Sequence, residues 1–123
     1  LKRTSQANAN IVAAPKPNEI IPNKEEDILI YNDLQINLIN KTTFIGANEI
    51  SLTKKEFELL ALFLQCRNRV LSREQLLENI WKGESNVLDR TIDVNITRLR
   101  KKIKPYDKNL QTKQGYGYIF TEK

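Results

Sequence analysis

The chain has 123 residues, 40% of them hydrophobic, with 20 Lys and Arg against 15 Asp and Glu and a net charge of +5. That size admits one domain with a small core plus a tail, and no apolar run approaches the roughly 20 residues needed to span a bilayer. One cysteine and no histidine exclude an internal disulfide, a zinc site built on His or paired Cys, and His-dependent catalysis, and they suit a reducing, cytoplasmic setting. No signal-peptide pattern opens the chain. It begins at Leu1 and has no Met, so an excised fragment is expected. The excess charge is localised: residues 85–123 carry 9 basic and 4 acidic groups, while residues 1–84 are balanced. A one-sided basic patch points to a polyanionic partner or to a solvated basic face.

Residues 1–27 read as the end of a preceding domain ("LKR") followed by a linker rich in Ala, Asn and Pro without helical or strand period. Residues 28–123 read as one domain. "ILIY", "LQINL", "TTFIG" and "EIS" are short β-branched runs separated by turn signals at Asn32-Asp33, Asn40-Lys41 and Gly46-Ala47-Asn48, which predicts a small antiparallel meander. Such a sheet needs a cover. Thr53 to Glu56 forms a capping box and opens a helix to about Arg67, apolar over most of its girth through Phe57, Leu59, Leu60, Leu62, Phe63 and Leu64. Cys66 on that helix reads as a small core residue, with a reactive thiol as the alternative. A second box, Ser72 to Gln75, opens a short helix to about Trp81, and "KGESN" (Lys82, Gly83, Glu84, Ser85, Asn86) reads as a loop.

The third helix, about 88–103, contains "RTIDVNITRLRKKIK". At about 100° per residue, Leu88, Ile96, Leu99 and Ile103 fall within about 40° of Ile92 and predict the buried stripe. Arg90, Val94, Thr97, Arg98 and Lys101 lie opposite; Asp93 and Arg100 flank one edge, Thr91, Asn95 and Lys102 the other. A merely soluble face would mix acids and bases for i,i+4 pairing, yet Asp93 is the only acid between Arg90 and Lys104. Arginines that bond guanine, threonines, and a valine methyl for thymine suit a DNA major groove, with phosphate contacts from the remaining bases. The chain closes on a hairpin at about 110–121 turning at Gln114–Gly117. Lys113 and Gln114 stand near its tip, and Tyr116 and Tyr118 are either phosphate ligands or packing residues. The order of four strands, three helices and a hairpin predicts an α+β winged helix-turn-helix with an N-terminal four-stranded antiparallel sheet and a C-terminal β-hairpin wing.

The runs "LTKKEFELLALFLQCRNRVLSREQLLENIW", "DRTIDVNITRLRKKI" and "TKQGYGYIF" resemble the C-terminal effector domain of OmpR/PhoB-family response regulators, over about residues 28–121. The resemblance implies the output domain of a two-component (phosphorelay) system in bacteria. It implies a missing receiver phosphorylated by a sensor histidine kinase, and head-to-tail homodimers on direct-repeat promoter sites in double-stranded DNA. It also implies base or phosphate contacts from Arg90, Thr91, Asp93, Val94, Thr97, Arg98 and Arg100, to which the polar face of the helix adds Lys101 and the amide of Asn95, with a tryptophan near the backbone at Trp81. Wing contacts fall at Thr112 and Tyr118, beside Lys113 and Gln114, and Lys82 to Asn86 match the loop that engages RNA polymerase. The chain departs from the family pattern at Asn95, where many relatives carry His, at Thr97, where a base is frequent, and at Gln114 and Ile119, where Arg is common. The wing is therefore expected to be less basic than usual. No membrane partner, cofactor, metal or catalytic residue is expected. A protein-docking module would leave the basic helix unexplained, and an RNA-binding domain would call for aromatic stacking platforms; the tyrosines cluster only at the wing.

Overall fold

The computed structural model describes residues 27–82, 84 and 87–122. The expected linker, apart from Asp27, and the loop residues Gly83, Ser85 and Asn86 lie outside the described residues. Strands β1 (Ile28–Tyr31), β2 (Leu34–Asn37), β3 (Thr42–Ile45) and β4 (Asn48–Ile50) form an antiparallel meander in that order. The turns carry left-handed backbone at Asn32 (φ 56°) and Gly46 (φ 62°), residue types that tolerate it, and at Lys41 (φ 59°), which does not favour it. The register pairs Leu29 with Ile36 and Leu34 with Ile45, so Leu29, Leu34 and Ile36 share the buried face. Ile30, Gln35 and Phe44 pair across the other face.

Helix α1 (Lys54–Gln65) covers that sheet, and Leu59, Leu60 and Phe63 on it are wholly buried. Its capping box forms as expected: the Glu56 N–H donates to Thr53 Oγ1 at 3.2 Å and the Thr53 N–H donates to Glu56 Oε1 at 2.9 Å. The helix stops two residues short of the expected end, with Cys66 as C-cap. Helix α2 (Arg73–Ile80) begins on the second capping box, Ser72 with Gln75. Helix α3 (Asp89–Lys102) packs against both. A 3₁₀ turn at Tyr106–Asn109, which the sequence pattern did not announce, leads into the hairpin of β5 (Leu110–Lys113) and β6 (Gly117–Phe120).

The hairpin is tied to the segment between α1 and α2. Leu71 and Tyr118 exchange backbone hydrogen bonds of 2.8 and 2.9 Å, and the Asn68 N–H donates to the Phe120 carbonyl at 2.7 Å. Gly117 (φ 141°) permits this approach, since a Cβ there would lie 2.1 Å from the Leu71 carbonyl oxygen. One continuous core results, from the sheet through α1 to α3 and β6.

Candidate nucleic-acid interface

The inward face of α3 is wholly buried at Ile92, Ile96, Leu99 and Ile103. Leu88 is not part of it. It is 60% exposed and serves as the N-cap in extended backbone (φ −99°, ψ 160°), where the helical angular step no longer applies. Arg90, Val94, Thr97, Arg98 and Lys101 are exposed together on the opposite face. Arg90, Arg98 and Lys101 make no ion pair or hydrogen bond among the described residues. Thr97 Oγ1 donates to the Asp93 carbonyl at 2.9 Å, which leaves its lone pairs facing solvent. Asn95 and Thr91 are half-buried, and the Asn95 amide donates to the Thr91 carbonyl at 2.8 Å. Asp89 in the first turn and Arg100, Lys101 and Lys102 in the last agree with the helix dipole, which favours acids at the N-terminus and bases at the C-terminus.

The two edges of α3 are held. On one, the Asp93 carboxylate accepts from Arg73 Nε at 3.2 Å and Arg73 Nη2 at 3.0 Å, and from the Tyr118 hydroxyl. Two turns on, Arg100 donates to the Leu110 carbonyl at 2.7 Å and to Thr112 Oγ1 at 2.9 Å. The Arg73 and Arg100 guanidiniums lie 5.6 and 5.7 Å from the Tyr118 ring centroid, within cation–π range. Burial, and then the bond to Asp93, push the Tyr118 hydroxyl above its ordinary pKa. On the opposite edge, Lys102 Nζ donates to Glu56 Oε1 at 2.7 Å. Burial pushes the Glu56 carboxyl up, but the bonds from Lys102 and the Thr53 N–H outweigh it and hold the group below the usual carboxylate range.

Several expected contacts are therefore occupied within the protein. Tyr118 is 4% exposed and its hydroxyl donates to Asp93, the arrangement that the packing alternative expects. Asp93 orients Arg73 and Tyr118. Trp81 is 4% exposed and takes the core alternative. Lys55 sits 5.6 Å from its ring centroid while donating to the Ile80 carbonyl at 2.9 Å and to Glu84 at 2.7 Å. Of the loop Lys82–Asn86, Lys82 and Glu84 are described, and both are exposed. In the wing, Thr112, Lys113, Gln114 and Tyr116 are exposed, whereas Ile119 is buried, at 7% exposure. Cys66 is buried, and burial raises its thiol pKa, which disfavours the reactive thiolate.

Sequence reasoning missed the parts that Arg73 and Glu56 play toward α3. Their partners stand 20 and 46 residues away, and the only local signal at either position was a capping box. Among the described residues no cluster of His, Cys, Asp and Glu could hold a metal ion, and no helix is long and apolar enough to cross a membrane.

Residues 47–120 match the family model described as "Transcriptional regulatory protein, C terminal". The chain is 39% identical over 97 residues to the response regulator ArlR of Staphylococcus haemolyticus, across 77% of this chain and 44% of that protein. It thus spans about half the length of the curated relatives it matches. Among solved structures, the response regulator DrrB, a Thermotoga maritima OmpR/PhoB homologue, superposes with a TM-score of 0.72 at 35% identity, over 79% of this chain and 45% of that one. The DNA-binding domain of RstA from Klebsiella pneumoniae, in complex with the RstA box, superposes with a TM-score of 0.70 at 26% identity, over 80% of this chain and all of that one.

Proposed function

The chain belongs to the family of transcriptional regulatory protein C-terminal domains, and on that premise we propose that it is the DNA-binding output domain of a response regulator. The observation that carries this reading is the outward face of α3. Arg90, Arg98 and Lys101 are exposed there without a partner among the described residues, beside the exposed Val94 and Thr97. A helix of this diameter fits the major groove, arginine bonds guanine bidentately, and the valine methyls pack on thymine. Lys113 and Gln114 at the wing tip reach the adjacent minor groove or backbone. Thr112 and Arg100 are bound to each other and add charge and shape at the seam between helix and wing. Thr91 and Asn95 on the far edge meet phosphate. The RstA domain, described in complex with its DNA box, supports the same mode of action by likeness of fold.

In the same reading, residues 1–27 are the end of a receiver and the linker that follows it, and a sensor histidine kinase controls the receiver by phosphorylation. Two copies bind direct repeats head to tail. The exposed Lys82 and Glu84 belong to a loop that meets RNA polymerase, and the protein works in the cytoplasm by binding, without catalysis. Selection of duplexes from a random pool, followed by affinity measured against salt, tests the proposal. Two direct copies of a short motif about one helical turn apart are expected, with affinity falling steeply as salt rises. No enriched motif and binding flat in salt would refute it in favour of a protein-docking role.

A further inference from the structure

We propose that Arg73, outside the recognition face, is a positioning residue for base recognition: through Asp93 it fixes the roll of α3 about its own axis. The inference rests on the DNA-binding reading above. On the helical wheel Asp93 and Arg100 stand about 80–100° to one side of the buried stripe and Lys102 about 80° to the other. Each edge is clamped to a different element. Arg73, the first residue of α2, grips Asp93 through two nitrogens at 3.0 and 3.2 Å. Tyr118 of β6 donates to the same carboxylate oxygen, so α2, α3 and the wing meet at one atom. Glu56 of α1 holds Lys102 from the other side at 2.7 Å.

Roll matters because the reading side chains project far from the axis. With the side chains, a helix is about 10–12 Å across, so a roll of about 20° displaces a side-chain tip by about 2 Å. That exceeds the whole range of good hydrogen-bond lengths. Bidentate base contacts from Arg98 fail under such a shift, while phosphate contacts, made by flexible charges to a continuous backbone, survive it. Arg73 therefore acts on specificity more than on general affinity. Its own charge is already matched by Asp93, and it is about one-third exposed.

The experiment uses the 123-residue chain and the duplex selected by the wild type, beside a scrambled duplex of equal length. Wild type, Arg73→Ala, Asp93→Asn and the double variant are compared across a salt series. The expected result is that each single variant loses roughly tenfold in affinity for the selected duplex. The ratio of affinity for the selected duplex to that for the scrambled one falls by a similar factor, and in the double variant, which conserves net charge, that ratio falls no further than in the weaker single, because both break one link. Equal loss on both duplexes with a salt slope smaller by about one would make Arg73 a phosphate ligand and overturn the proposal. A lowered melting temperature with the ratio between the two duplexes unchanged would make the pair merely structural and would also overturn it. Should Arg73→Ala fail to fold, the near-isosteric Asp93→Asn and Arg73→Lys carry the same comparison. If the wild type itself selects no duplex, the DNA-binding reading fails first and this one with it.

Discussion

Replacing Gly117 with alanine tests how the wing is held. The backbone there has φ 141°, a region that L side chains avoid at a strain of about 1–3 kcal/mol. The new Cβ would stand 2.1 Å from the Leu71 carbonyl oxygen and 2.8 Å from both the Leu71 carbonyl carbon and the Ser72 Cα, all of them backbone atoms. Relief requires the hairpin to move away by an ångström or more, which breaks the paired Leu71–Tyr118 bonds of 2.8 and 2.9 Å, worth about 1 kcal/mol each. The expected loss is thus about 3–5 kcal/mol, a large part of an ordinary domain's stability. Gly115 is the internal control: its φ is 83° and nothing lies within 4 Å of a Cβ there, so Gly115→Ala brings strain alone, about 1 kcal/mol or a little more. Urea denaturation gives the two differences, and amide exchange at Leu71 and Tyr118 locates the damage. If Gly117→Ala shifted the unfolding free energy no more than Gly115→Ala, the close approach of the two backbones would not be limiting and the reasoning would be wrong.

Leu99→Ala, at a wholly buried position of α3, should lower stability by about 2–5 kcal/mol in the same denaturation assay; a negligible change would mean that the helix faces the other way. Arg98→Ala should lose about 1–3 kcal/mol on the selected duplex and relax preference at one base position, and equal weakening on every duplex would reduce Arg98 to a phosphate contact. Lys101→Ala should weaken all duplexes alike and flatten the salt slope by about one; an unaltered slope would take Lys101 out of the footprint. The folded-state pKa of Glu56 lies below its unfolded value. Its contribution is therefore present above the ordinary Glu pKa of about 4.3 and disappears as pH falls through the folded value. The stability gap between wild type and Glu56→Gln should be open at pH 7 and shrink below about pH 4, and a gap that widened in acid would contradict the assigned direction.

What was legible in the sequence was what short-range chemistry decides. Both capping boxes are closed by residues three apart, so the starts of α1 and α2 could be read directly. The meander turns announced themselves through Asn and Gly, and the stripe Ile92, Ile96, Leu99, Ile103 gave the phase of α3. That phase failed at Leu88 because the residue before a helix has extended backbone. The roles of Tyr118, Asp93, Arg100 and Thr112 were less legible. Resemblance implied contacts with DNA but not that their side chains also meet one another across 12 to 25 residues of chain. No periodicity encodes such pairings, and an aromatic such as Trp81 reads the same in sequence whether it faces a backbone phosphate or a core. The 3₁₀ turn at 106–109 was missed for a related reason. Its Tyr106 and Asn109 are buried through bonds to Asp33 and to the Thr121 carbonyl, which local propensity does not anticipate.

The tie between residues 68–71 and β6 also bears on synthesis. A ribosome delivers the sheet, α1 and α2 long before Gly117–Phe120, yet Tyr118 and Phe120 complete the core beside them. Tyr31 at the start of the domain meets the Phe120 ring edge-on, with centroids 5.4 Å apart. Contacts of such long sequence separation form late and slow the folding of a small domain. Until the last strand emerges, α1 carries an uncovered apolar surface, and the nascent chain is exposed to aggregation during that interval. A chain cut before Gly117 would thus keep every helix yet lose Tyr118 and Phe120 from its core.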